Sequence, residues 1–97
     1  MDISMRSVLA TEQYKRDVRR LYKKHYEVHF LSMVTKILQR DGIVPIQYGP
    51  HKLHGKWSGY FECHLEKDWL IIYKTAAKFV SLYRTGSHHD LFCLYRK

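Results

Sequence analysis

Cysteine is scarce in this sequence: only Cys63 and Cys93, far apart and outside any C-x-x-C pair. Two such residues cannot build a disulfide framework, and they fit reduced, largely buried thiols of a cytosolic protein. Long apolar runs are missing as well. None approaches the roughly 18–20 residues needed to span a bilayer, so a membrane-crossing helix is not expected. Met1-Asp2-Ile3-Ser4-Met5 lacks the basic and then apolar character of a secretory leader, so none is predicted. There is no repeat, no low-complexity tract and no Ser/Gly-rich linker, and proline occurs only twice. Disorder and a multidomain layout are both disfavoured, and residues 1–97 are expected to form one domain. A chain of this length buries roughly 60–65% of its unfolded surface. That supports one modest core without an enclosed cofactor, and no cofactor is expected. Acidic side chains are the scarce charge: nine Asp and Glu stand against seventeen Lys and Arg, a formal +8 before any of seven histidines is protonated. Such a balance suits a polyanionic partner, whether nucleic acid, a membrane surface or an acidic protein.

What is present changes character near Gly42. A short strand is expected at Met5–Leu9, followed by Thr11 as a helix N-cap with Glu12 near the positive end of the dipole. Tyr14, Val18, Leu21 and His25 recur at helical spacing and define one face. Lys15, Arg16, Arg19, Arg20, Lys23 and Lys24 cover the others. A turn around Tyr26–His29 leads to a second amphipathic stretch with Phe30, Leu31, Val34, Ile37 and Leu38. Gly42 and Pro45 end it, which predicts a helical hairpin. Beyond Gly42, aromatic and β-branched residues mark strands over Trp57–Leu65, Trp69–Tyr73 and Phe79–Tyr83, with Cys93–Arg96 as a short edge strand. Leu70-Ile71-Ile72 is apolar without a break, as in a central strand covered on both faces. Helices first and strands after, with short connections, predict an α+β fold with an antiparallel sheet.

Histidine placement is the sharpest chemical signal. Five of seven lie after Gly42. His51 and His54 fall in the loop Tyr48-Gly49-Pro50-His51-Lys52-Leu53-His54-Gly55. His64 is near a strand end with Asp68 across the next turn, and His88 and His89 follow Arg84-Thr85-Gly86-Ser87. Loops and strand ends on a rigid scaffold are where active sites sit. Metal-free RNA cleavage needs a group to take the 2′-hydroxyl proton, a group to protonate the departing 5′-oxygen, and a cation facing the phosphate. Imidazole suits both proton roles near neutral pH and Arg suits the third. His64, Asp68, Arg84 and His88 supply those types, with His51 a further candidate at the phosphate.

The same residues have other readings. His51-x-x-His54, Cys63-His64 and His88-His89 contain zinc-ligand types, but the familiar Cys/His spacings are missing, so no metal site is predicted. The basic helix face is compatible with plain solvation, with RNA backbone contact or with an acidic protein. Trp57, Tyr60, Phe61, Trp69, Tyr73 and Phe79 fit a core. Trp69 and Phe92 are the aromatics placed to stack on a splayed base. A non-catalytic RNA- or ribosome-binding module stays open at this point.

The segments Leu53-His54-Gly55-Lys56-Trp57-Ser58-Gly59-Tyr60, His64-Leu65-Glu66-Lys67-Asp68-Trp69-Leu70-Ile71-Ile72-Tyr73 and Arg84-Thr85-Gly86-Ser87-His88, ending at Leu91-Phe92, occur in an order and at distances that resemble the YafQ branch of the RelE toxin superfamily. The resemblance implies a helical hairpin packed on a twisted antiparallel sheet. It also implies cleavage of translating mRNA in the ribosomal A site, by a bacterial cytoplasmic toxin held by an acidic antitoxin. Any contact with operator DNA would come only through that complex. Matched to the family pattern, the active residues are His51, His64, Asp68, Trp69, His88 and Phe92, with Arg84 on the phosphate side. His54 and His89 are expected beside the substrate. His89 doubles the motif histidine, a departure that leaves two candidates for the general acid.

Overall fold

The computed structural model describes residues 5–92. The first strand, β1, spans Ser7–Ala10, and helix α1 spans Glu12–Lys23. Thr11 is extended at the N-cap, and its hydroxyl accepts from the Tyr14 amide at 2.9 Å. The cap also docks the helix, because the Thr11 amide donates to Leu82 O and its hydroxyl to Tyr83 O. Tyr14 and Leu21 are buried as the periodicity predicts, and Asp17 is buried with them. His25, expected on that face, is exposed with φ +70, because the helix has already ended at Lys23. Helix α2, His29–Asp41, buries Leu31, Val34 and Leu38 and stops at Gly42, whose φ of +78 a side chain would resist. The expected helical hairpin is therefore present.

A short strand β2 (His51–Lys52) leads into the meander β3 (Phe61–Glu66), β4 (Trp69–Thr75) and β5 (Phe79–Gly86), and a four-residue helix α3 (His88–Leu91) follows. The sheet order is β1-β5-β4-β3-β2. The meander β3–β5 is antiparallel as expected, and β2, within the segment read as a loop, joins it antiparallel; β1, however, pairs in parallel with β5, so the α+β sheet is mixed. The strand expected from Trp57 begins only at Phe61. Gly55–Trp57 is a 3-10 turn instead, and Gly59, at φ +94, breaks the extended run. The expected strand at Cys93–Arg96 lies outside the described residues.

Alternation along β4 divides the interior in two. Trp69, Ile71 and Tyr73 point toward α1 and α2 and pack with Cys63, Val80 and Leu82. Leu70 and Ile72 point the other way, where Leu91 of α3 closes a smaller cluster with Trp57, Tyr60 and Phe92. The unbroken apolar run in β4 reflects this double cover. Each such side chain contributes about 1.5–3 kcal/mol by leaving water. Burial also pushes the Cys63 thiol up to about 12, so it packs as an inert apolar group. No described helix is long and apolar enough to cross a membrane.

Candidate active site

The second face of the sheet carries the candidate chemistry. Glu62 and His64 are two residues apart on β3 and so share that face, beside Ile72 and Leu70 of β4. The β2–β3 register sets His51 opposite Glu62, and His51 Nε2 lies 2.7 Å from Glu62 Oε2. The Glu62 side chain is only 4% exposed while His51 is open to solvent, so a buried carboxylate anchors an exposed imidazole. Gly49, at φ +58, lets the preceding turn approach: a Cβ there would stand 3.1 Å from His64 Nδ1.

The third histidine arrives by another route. Lys67-Asp68 turns the chain between β3 and β4, with Asp68 at φ +52. Asp68 Oδ1 accepts from the His88 amide at 3.1 Å and lies 3.4 Å from His88 Nδ1. His88 opens α3, which is capped by Ser87 and Asp90 in a reciprocal box. The His64 ring is 6.3 Å from that of His51 and 6.1 Å from that of His88, and Phe92 is 5.7 Å beyond His88. Three imidazoles and a phenyl ring thus form a row, with Glu62 and Asp68 each engaging one histidine.

His51, His64, Asp68, His88 and Phe92 are thereby brought together. Glu62 was missed by sequence reasoning, although its i, i+2 spacing from His64 within a predicted strand was the available signal. One ligand atom each from Glu62, His64 and His88 lie within 4.8 Å of one another, a set chemically able to hold a transition-metal cation that the Cys/His spacings did not suggest. His54 and His89 are exposed at the margins, and among the described residues neither makes a hydrogen bond, ion pair or ring contact with the row.

Three of the expected site residues are engaged within the fold. Trp69 is 1% exposed, donates through Nε1 to Thr85 Oγ1 at 3.0 Å, and is flanked by Tyr26 and Phe30. It has no face left for a base, because β4 alternation turns it toward the helices. Arg84, expected at the phosphate, is drawn to Asp17: Nε is 2.8 Å from Oδ2, Nη2 is 3.2 Å from Oδ1, and the side chain is only 15% exposed. Arg20, expected on the RNA-facing surface, gives Nη1 to the same carboxylate at 3.0 Å. The cause is common to both. Asp17 lies three residues after Tyr14, on the buried face of α1, and a buried carboxylate gathers cations. Burial opposes its ionisation. Bonds from Arg84, the Thr85 amide, Gln13 and Arg20 outweigh that, and its pKa falls below the usual carboxylate value. Lys15, Arg16, Arg19 and Lys23 do remain exposed on α1, as does Lys24 at its C-cap.

A helical hairpin on one face of a five-stranded sheet, with a histidine and carboxylate row on the other, defines a RelE-like α+β toxin. The model of the YafQ family, bacterial toxins of type II toxin–antitoxin systems, matches residues 6–93, and the chain belongs to that family. The mRNA interferase toxin YafQ of Escherichia coli K12 is 35% identical over 88 residues, covering 90% of this chain and 96% of that protein. The toxin in the crystal structure of the E. coli DinJ-YafQ toxin–antitoxin complex superposes with a TM-score of 0.82 at 35% identity, over 91% of this chain and 98% of that one. A metal-bound toxin from Helicobacter pylori superposes with the same score of 0.82 at 28% identity, over 91% of this chain and all of that one.

Proposed function

We propose that this chain is an mRNA endoribonuclease that cuts translating message in the ribosomal A site and rests in complex with an acidic antitoxin. The observation that carries the reading is the pair of imidazoles, His64 and His88, 6.1 Å apart, with Asp68 bound to the second. In-line cleavage through a 2′-hydroxyl needs a base and an acid on opposite sides of one phosphate, and two histidines at this separation can bracket it.

Asp68 already holds the His88 amide and faces its Nδ1. That favours a positioning role for Asp68 and leaves His64 as the base. His64 takes the 2′-hydroxyl proton, the 2′-oxygen attacks phosphorus, and His88 protonates the departing 5′-oxygen through Nε2. The products are a 2′,3′-cyclic phosphate and a 5′-hydroxyl. With Arg84 charge-compensated by Asp17, His51 is the group assigned to the phosphate, steered there by Glu62. Phe92 packs against His88 and offers the ring on which a base can stack. His54 and His89 border the path of the message.

RNA carries its own nucleophile, so no metal is required for this chemistry. The exposed cations of α1 supply long-range attraction to ribosomal RNA, and to the acidic antitoxin at rest. The mechanism is tested by end-group analysis of message cut by protein that has been treated with EDTA and freed of it before ribosomes and Mg2+ are added. Cyclic phosphate and 5′-hydroxyl ends at an undiminished rate are expected. A 5′-phosphate, or loss of cutting on chelation, would remove the acid–base scheme.

A further inference from the structure

We propose that Arg20 is a positioning residue that fixes α3, and with it the ring of His88. The inference rests on the proposed nuclease function for its catalytic meaning, but the physical link stands by itself. A helix of four residues does not hold its own shape. Leu91 anchors α3 from inside, Ser87 and Asp90 cap it, and Asp68 grips the His88 amide. Arg20 adds the connection to α1. Its Nη1 is fixed on the buried Asp17, and its Nη2 lies 3.6 Å from Asp90 Oδ2. Among the described residues, that buried Nη2 has no hydrogen-bond partner. A guanidinium nitrogen in that state is tolerable only beside a compensating carboxylate, and Asp90 is that carboxylate.

The link sits over the joint between β5 and α3. A Cβ built on Gly86 would stand 3.1 Å from Arg20 Nη2 and 3.2 Å from Asp90 Oδ2, so Gly86 leaves the space that the pair occupies. Asp90 therefore does two things: it closes the cap of α3 and ties the helix to α1. Arg20 is set apart from its exposed neighbours Arg16, Arg19 and Lys23, whose side chains reach solvent.

The test uses Arg20→Gln, Arg20→Lys and Asp90→Asn, the last keeping an oxygen for the cap while removing the charge. Hydrogen exchange of the Leu91 and Phe92 amides is measured in the free protein, and single-turnover cleavage is measured on ribosome-bound message. A partly exposed pair is worth up to about 1 kcal/mol, or about fivefold. Both charge-removing variants are expected to lose up to about fivefold in amide protection and in kcat, with KM and its salt dependence unchanged. Lys at position 20 is expected to restore part of each. Raised KM with unaltered kcat and protection would make Arg20 a surface contact and overturn the proposal, as would no change in either variant. If the wild type does not cut, the nuclease reading falls, while the exchange data still decide the positioning role. If Arg20→Gln fails to fold, Asp90→Asn decides alone.

Discussion

Asp17→Asn is the substitution with the largest calculable consequence for the fold. The Asp17 side chain is fully buried and accepts from Arg84 Nε and Nη2, Arg20 Nη1, Gln13 Nε2 and the Thr85 amide, at 2.8–3.2 Å. Asn retains one acceptor oxygen and turns an NH2 group toward two guanidinium groups. Removing one partner of a buried ion pair costs about 3–5 kcal/mol, because the other charge is left uncompensated. A domain of this size has about 5–15 kcal/mol in all. The loss corresponds to a fall in Tm of roughly 15–30 °C. The pH dependence has a definite sign. The folded pKa of Asp17 lies below its unfolded value of about 3.9, so its contribution is complete above that value and is lost as pH falls through the folded pKa. Circular dichroism melts of both proteins from pH 7 to pH 3 should show a constant gap down to about pH 4 and a narrowing gap below it. A loss under about 1 kcal/mol, or a gap already closed at pH 5, would refute the ion-pair reasoning.

Three further outcomes are expected. Glu62→Gln keeps the shape of the His51 anchor and removes its charge; kcat should fall about tenfold or more while Tm moves by only a few degrees, and an unchanged kcat would take Glu62 out of the site. Trp69→Phe should cost about 1–3 kcal/mol in denaturant unfolding, from the lost bond to Thr85 and the void, while leaving the positions of cutting unaltered. A changed cutting pattern would restore Trp69 as a base contact. The triple change of Arg16, Arg19 and Lys23 to Glu should weaken ribosome binding and flatten its salt dependence, by about one unit of log–log slope for each phosphate no longer neutralised; equal slopes would contradict a role for α1 in RNA binding.

The two halves of the fold were legible because their periods differ. Leu31, Val34 and Leu38 recur at helical spacing, and Leu70-Ile71-Ile72 has the unbroken apolar character of a doubly covered strand. The parallel β1–β5 pair was not legible, since a four-residue strand at the chain start carries no mark of which edge it joins. At the site, residue type identified His51, His64, Asp68 and His88, but direction did not follow from type. Trp69 and Arg84 match the family pattern in sequence, yet strand alternation turns Trp69 into the core and a buried Asp17 draws Arg84. Asp17 and Glu62 were overlooked for one reason. Each is an acid on a face assigned by its apolar or histidine neighbours, and a buried carboxylate is recognised only through the partners that neutralise it.

The central claim is tested most directly by adding the purified chain, and separately its His88→Ala variant, to a bacterial translation extract and mapping mRNA 5′ ends by primer extension, with and without ribosomes. The account predicts cuts in the reading frame that require ribosomes and disappear in the variant. Cuts that persist in His88→Ala, or that appear equally on free RNA, would contradict it.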